Sequence, residues 1–205
     1  MQIAGPSSWI FVDDAPTDLN FSMYVAGSLG ILPKDSMFSS RGLWPEAAPV
    51  IGSDESFQRL GHQWHDWWLA MVAEKSRNVE SEPWGGERFS VLFAPTDQFR
   101  SLDDPLRAWC TKLFEPFQRW WSFPGGGRFA VQYWTHLIPI YEIVQKVATD
   151  LGRPVFPFHL TAHFVYAGLE DILDLSPGYV ILGINKPSVA IDNRDWWIAK
   201  IRSLA

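Results

Sequence analysis

Residues 156–166, with the sequence FPFHLTAHFVY, contain the clearest two-residue alternation in the chain. Aromatic and aliphatic residues occupy the even-numbered positions, whereas His159 and His163 fall on odd-numbered ones. Because successive side chains of a β-strand point to opposite faces, this alternation predicts a strand with one apolar face. Such a strand needs neighbouring strands and a covering layer, so we expect a central sheet.

Around this strand, four segments show the three- and four-residue spacing of apolar residues that is typical of helices. The second of them starts at Asp103 or Asp104, and Pro116 is expected to bend it or end it early. The third should stop at Gly152. The predicted helices span about 53–77, 103–117, 139–151 and 192–204.

Two further segments, 85–93 and 125–133, share the pattern G-G-x-R-F-small-V-x-aromatic. We interpret each as a turn that leads into a strand, and we expect 88–93 and 128–133 to lie in one sheet. Residues 8–12, 179–184 and 189–191 are additional strand candidates.

Alternation of helices with strands predicts an α/β or α+β fold, with a mixed central sheet flanked by about four to five helices. No shift of composition marks a boundary, so residues 1–205 are interpreted as a single globular domain. Prolines and glycines between about residues 32 and 52 indicate a long loop.

The chain contains twelve tryptophans, six of them in adjacent pairs. Neighbouring residues of a helix point about 100° apart, so one ring of each pair is expected in the core and the other at its edge. The pairs are Trp67-Trp68, Trp120-Trp121 and Trp196-Trp197.

The net charge and the composition argue against some functions and locations. The net charge is -6 and no basic stripe occurs, which argues against nucleic acid as a partner. No apolar run is long enough for a membrane span, and no secretory signal is evident, so we expect a cytoplasmic location. The single cysteine, Cys110, shares an apolar helix spacing with Leu106 and Leu113, which predicts a buried, inert thiol.

The histidines are the candidate polar site. His62 and His65 lie close enough on their helix to share a metal with Asp66, but this spacing matches no complete metal motif. His159 and His163 are about 13 Å apart on a strand, too far for one ion. We therefore expect no metal, no cofactor and no catalytic residue. The run 124–128 could hold an anion on its backbone amides or could be a flexible turn.

Two functions follow from these features. The first is a non-enzymatic interaction protein of inhibitor, immunity or antitoxin type, which binds a basic protein partner through an aromatic and acidic surface. Trp84, with Glu82 and Glu87 nearby, is the expected centre of that surface. The alternative is an enzyme or a small-ligand-binding protein, whose aromatic cleft is lined by histidines. Those histidines are His62, His65, His159 and His163.

Overall fold

The computed structural model describes residues 2–4, 9–33, 37–38, 55–81, 90–135, 138–170, 172–184 and 193–205. Within these ranges the chain forms five strands: β1 (Gln2–Ala4), β2 (Ile10–Asp14), β3 (His159–Val165), β4 (Leu173–Ser176) and β5 (Tyr179–Gly183). The same ranges contain six helices: α1 (Thr17–Leu29), α2 (Glu55–Ser81), α3 (Leu106–Ser122), α4 (Gly127–Thr135), α5 (Ile140–Leu151) and α6 (Arg194–Leu204).

The strands form one mixed sheet in the order β1-β2-β3-β5-β4. The three central strands are parallel, and the two edge strands run antiparallel to their neighbours. Asp14 at the end of β2 is in register with His163 of β3. The α/β fold with a mixed central sheet is therefore confirmed, with one helix more than the upper number predicted.

Helices cover both faces of the sheet. On one face, Phe11 packs edge-on against Trp197 of α6 at a ring-centroid distance of 5.7 Å, and α5 packs beside α6. His163 lies on the other face, because it is in register with Asp14, three residues from Phe11. Helices α1 and α2 pack against each other on that side, and α1 and α4 both contact β3. Burial on both faces is typical of parallel sheets.

Helix α1 was not predicted from the sequence. It is buried from Asp18 to Leu29, so it has no solvent face and no amphipathic pattern. Two of its small polar residues have hydrogen-bond partners: the Ser22 hydroxyl donates to the Leu19 carbonyl, and the Asn20 side-chain amide donates to the carbonyl of Phe164. The helix ends at Gly30, which has a φ of 67°.

Residues 128–133 were predicted as a strand, and this prediction was wrong. They lie in helix α4, where Phe129 and Tyr133 are one turn apart and exposed while Val131 is buried. The related segment 88–93 lies partly outside the described residues, and its described part, 90–93, contains a turn rather than a strand. Over so few residues, an aromatic-x-Val-x-aromatic pattern fits both the two-residue period of a strand and the 3.6-residue period of a helix. Packing against α3 selected the helix.

The glycine run before α4 allows a close approach to α3. A Cβ atom at Gly127 would overlap the Trp120 ring, and one at Gly126 would overlap the Trp120 carbonyl oxygen. Gly125 has a φ of 83°, which L-residues with side chains rarely adopt. These glycines therefore serve a tight turn and its packing.

The other predicted helices are present with small shifts of their ends, and strands β2, β3 and β5 lie within or close to predicted segments. Pro116 does not end its helix, because α3 continues to Ser122. The strand candidate 189–191 and most of the predicted loop lie outside the described residues. Phe38, within that loop region, is buried and forms an isolated antiparallel bridge with Leu169.

The tryptophans mostly build the core. In the tryptophan pair of each of α3 and α6, one ring is buried and the other is half-buried, as predicted. The half-buried rings are Trp120 in α3 and Trp196 in α6. In α2 both Trp67 and Trp68 are buried, so the prediction of an edge ring was wrong there. Trp68 stacks on Trp64, and Trp67 contacts Phe21 of α1. Helix α2 packs against the wholly buried α1, so a wider part of its circumference is buried than in a helix at the surface.

In the part of the chain that the structure describes, no helix is long and apolar enough to cross a bilayer.

Candidate functional site

The predicted aromatic and acidic site cannot be placed. Trp84, Glu82 and Glu87 all lie outside the described residues. The described tryptophans whose side-chain burial is known are buried or half-buried, so none of them forms an exposed patch.

The four predicted histidines fall into two separate places. His62 is exposed on α2, and His65, half-buried, contacts the rings of Phe38 and Trp64. His159 and His163 are half-buried on β3. Lys75, whose charge acts on His163, is ten residues beyond His65, which corresponds to about 15 Å along a helix. This spacing separates His65 from the part of α2 that is near His163.

Within the described residues, no group of three or more His, Cys, Asp or Glu side chains is arranged to hold a metal ion.

His163 forms a buried pair with Tyr179. Its Nδ1 atom is 2.8 Å from the Tyr179 hydroxyl, and the two rings meet edge to face at 5.1 Å. Burial and then the positive charge of Lys75 hold the pKa of His163 well below its usual value. Burial and then the negative charge of Asp18 raise the pKa of Tyr179 well above its usual value. Both groups are therefore neutral near pH 7, and their contact is a hydrogen bond between a neutral imidazole and a neutral phenol.

An ion pair lies beside this neutral pair. Lys75 Nζ is 2.9 Å from Asp18 Oδ2, and both side chains are buried. Asp18 also accepts hydrogen bonds from the amides of Leu19 and Ser90. Glu74 accepts from the Ser90 hydroxyl, so the segment that begins at Ser90 is attached to both α1 and α2.

The sequence analysis missed the roles of Asp18 and Lys75. Lys75 falls within the predicted helix of residues 53–77 and was not singled out there as a site residue. Its position continues the apolar stripe of Trp64, Trp68 and Met71, and this spacing was the available signal that it is buried. No comparable signal marked Asp18, because α1 itself was not predicted.

Asn20 completes the polar interior. Its amide nitrogen donates to the carbonyls of Pro16 and Phe164, and its oxygen accepts from the Tyr166 amide. It thereby joins the start of α1 to the end of β3. The polar side chains of this interior thus link α1 to α2 through Asp18 and Lys75, and α1 to the sheet through Asn20. The pair of His163 and Tyr179 links β3 to β5.

Exposed aromatic residues occur instead at the junction of α3 and α4. Phe123 is 66% exposed in the turn, and Phe129 and Tyr133 of α4 are 51% and 63% exposed. Phe129 and Tyr133 are four residues apart in a helix, so their side chains are neighbours on one face. We call these three residues the α4 surface.

Two arginines belong to the segment that carries the α4 surface. Arg119 is 73% exposed and its guanidinium is 3.8 Å from the Glu115 carboxylate. Arg128 is half-buried in the first turn of α4.

A second pair of exposed aromatic residues lies near the N-terminal ends of strands β2 and β3. Tyr141 and Phe156 are 51% and 60% exposed. Tyr141 contacts Trp9, which precedes β2, and the Arg153 guanidinium lies over the Phe156 ring. Both rings therefore have contacts within the domain that explain part of their placement.

Cys110 is buried in α3 as predicted, and burial raises the pKa of its thiol. A buried protonated thiol is a poor nucleophile.

Comparisons with known protein families, with curated proteins and with solved structures find no match for this chain.

Proposed function

We propose that the protein is a non-enzymatic interaction protein and that it binds a protein partner through the α4 surface. The observation that supports this most directly is the exposure of Phe123, Phe129 and Tyr133 within eleven consecutive residues. Aromatic residues are enriched at the centres of protein interfaces, because they bury much area at a low cost in conformational entropy. An inhibitor of immunity or antitoxin type that acts in the cytoplasm remains the functional class we propose.

The contrast between the buried rings of the core and the exposed rings of the α4 surface supports this proposal. The fold buries large rings efficiently elsewhere: Trp9, Trp64, Trp68 and Trp197 are each at most 1% exposed. Three neighbouring aromatic side chains left in solvent are therefore not explained by a shortage of core positions. Exposed apolar clusters of this kind are typical of binding surfaces.

The test is a comparison of two double variants as baits for partners in an extract of the native host. F129S/Y133S removes the two α4 rings, and Y141S/F156S removes two rings of similar exposure near the N-terminal ends of strands β2 and β3. We expect a partner captured by the wild-type protein to be lost with F129S/Y133S and kept with Y141S/F156S. Thermal unfolding establishes that both variants are folded. Equal capture by both variants would contradict the proposal.

We propose as the second candidate a small-ligand-binding or enzymatic function centred on His163. The pair of His163 and Tyr179 supports it, since a neutral half-buried imidazole held by a phenol can act as a general base or hydrogen-bond acceptor. Asp14, in register with His163 on the neighbouring strand, adds a carboxylate at the same edge of the sheet. Ligands of α/β proteins commonly bind at the carboxyl ends of parallel strands.

This second candidate is tested by thermal-shift measurements with a set of small metabolites on the wild-type protein, H163Q and Y179F. We expect a ligand of this site to raise the melting temperature of the wild-type protein and to have a smaller effect on both variants. A ligand that stabilises all three proteins equally binds elsewhere, and the absence of any stabilising metabolite argues for the interaction function.

A further inference from the structure

We infer that Tyr179 fixes His163 as a hydrogen-bond donor, and that a ligand of this site is held through an uncharged carbonyl oxygen. This inference rests on the ligand-binding function proposed as the second candidate. It names the chemistry of the ligand, and it assigns His163 a donor role in place of the acceptor role described for that candidate.

The pair of His163 and Tyr179 is built by two central strands of the sheet. Thr161 of β3 is in register with Tyr179 of β5, and His163 follows two residues later on the same face. The two side chains are therefore diagonal neighbours, and the pairing of β3 with β5 holds their spacing. A pair on central strands is placed more precisely than a pair on loops.

The direction of the hydrogen bond follows from the burial of Tyr179. The side chain is 0% exposed, and within the described part of the chain its hydroxyl forms one hydrogen bond, the 2.8 Å contact with His163 Nδ1. A phenol has a single proton to donate, and a buried O–H without an acceptor is costly. The Tyr179 hydroxyl therefore donates to Nδ1, which carries a lone pair.

This direction selects the tautomer of His163. A neutral imidazole has one protonated and one bare nitrogen, so Nε2 carries the proton when Nδ1 accepts. His163 is half-buried and its Nδ1 faces the enclosed hydroxyl, so Nε2 is the nitrogen that can meet a ligand. His163 thus presents an N–H donor, and the matching ligand atom is an acceptor.

The same geometry keeps His163 neutral. Protonation would place a second hydrogen between Nδ1 and the phenol oxygen, and would break the hydrogen bond that the buried hydroxyl donates. Burial of the imidazole and then the charge of Lys75 also oppose protonation. The imidazole therefore acts as a neutral donor near pH 7.

The charges beside the pair favour an uncharged acceptor. Lys75, whose charge acts on His163, lies 2.9 Å from the Asp18 carboxylate, so this ion pair brings no net positive charge to the site. A carboxylate or phosphate would lose much of its hydration on binding without gaining a cation from this pair, whereas a carbonyl oxygen loses far less. The acceptor is therefore the carbonyl oxygen of an uncharged ligand.

The first test reads the protonation of the two His163 ring nitrogens from long-range proton–nitrogen NMR correlations of the full chain near pH 7. The signals are assigned by their absence from H163Q. We expect Nε2 at the chemical shift of a protonated nitrogen and Nδ1 at that of a bare nitrogen that accepts a hydrogen bond. A protonated Nδ1 with a bare Nε2 would overturn the inference.

The second test is the direction in which Y179F moves the pKa of His163, followed by the same NMR signals. Loss of a hydroxyl that donates to Nδ1 removes a hydrogen bond to the neutral imidazole, so the pKa should rise. Loss of a hydroxyl that accepts from Nδ1 would lower it. Y141F, which removes the hydroxyl of an exposed tyrosine, should leave the pKa unchanged. An unchanged or lower pKa in Y179F contradicts a donating phenol.

The third test titrates three small probes against the Nε2 signal: N,N-dimethylacetamide as an uncharged acceptor, acetate as a charged acceptor and methylammonium as a donor. We expect a saturable change with dimethylacetamide, binding of acetate that is at least about threefold weaker, and no saturable change with methylammonium. Equal or tighter binding of acetate, saturable binding of methylammonium, or no binding of dimethylacetamide would refute the assigned ligand class.

These outcomes separate the inference from the ligand-binding function. If a metabolite stabilises the wild-type protein through His163 while Nε2 carries no proton, the site binds a ligand and only the donor assignment is wrong. If Nε2 carries the proton but neither a metabolite nor dimethylacetamide binds, the tautomer is right and the ligand-binding function itself is wrong.

Discussion

The Lys75 ammonium lies 2.9 Å from the Asp18 carboxylate, and neither side chain has appreciable contact with solvent. Helix α2 supplies the cation and the first turn of the buried helix α1 supplies the anion. Because a buried charge is costly unless it is paired, this contact couples the placement of the two helices.

We predict that K75M is strongly destabilising. The substitution removes the cation and leaves the buried Asp18 carboxylate with two amide donors only, from Leu19 and Ser90. The free energy of unfolding should fall by about 3–5 kcal/mol, as measured by urea denaturation. D18N/K75M should lose less than K75M, because it also removes the unpaired charge.

The matched control is K146M, which removes the same functional group from the exposed pair of Lys146 and Asp150. It should cost less than about 1 kcal/mol. Similar losses for K75M and K146M would show that the interior pair is not buried in solution.

We predict that the protein loses stability as the pH falls below about 6.5, the pKa of an unperturbed histidine. The folded-state pKa of His163 is held well below that value by burial and by Lys75. Below pH 6.5 the unfolded chain therefore binds a proton that the folded protein does not. The free energy of unfolding should decrease by up to about 1.4 kcal/mol per pH unit, until the folded-state pKa is reached.

H163Q should make this pH dependence shallower between pH 5 and pH 7.5, as measured by urea denaturation at several pH values. Part of the slope should remain, because burial also lowers the pKa of His159. H159Q/H163Q should then reduce the slope further. An identical slope in the wild-type protein and H163Q would refute the assignment.

We predict that Cys110 reacts slowly with a thiol-specific reagent such as DTNB in the native protein. The side chain is buried and burial raises the pKa of the thiol, so the reactive thiolate is scarce and shielded. The urea-unfolded protein, as the control, should react rapidly and with one equivalent. Complete native-state labelling within seconds would contradict the burial.

We predict that G127A destabilises the protein, because the added methyl group would overlap the Trp120 ring. Overpacking of this kind costs about 1–3 kcal/mol. The control is Q132A, an exposed substitution in the same helix, which should change the free energy of unfolding by less than about 0.5 kcal/mol. A neutral G127A would mean that α4 does not pack on Trp120 as described.

The elements that the sequence predicted well have a solvent face or clear end signals. Helix α5 ends at Gly152 in the left-handed conformation, as its glycine and the following proline indicated. The burial of Cys110 followed from its spacing with Leu106 in α3. In these cases the local pattern and the final packing require the same conformation.

The candidate site was predicted less well, because its parts come from distant segments. Asp18 and Ser90 are 72 residues apart, and Asn20 and Phe164 are 144 apart. His159 and His163 were both selected from the sequence. The partner of His163, Tyr179, was not among the predicted site residues. Sequence spacing carries no information about pairs that meet only after the sheet and helices have packed.

By itself, the sequence predicted an α/β or α+β class with a mixed central sheet, the strand of residues 156–166 in outline and the burial of Cys110, since hydrophobic periodicity reports how each segment meets a core. Tertiary structure alone decided that residues 17–29 form a buried helix and that residues 128–133 are helical. It also decided which aromatic residues remain exposed. A helix that is buried on every side has no amphipathic periodicity, and a six-residue alternation fits more than one conformation, so the free energy of packing selects between the alternatives in both cases.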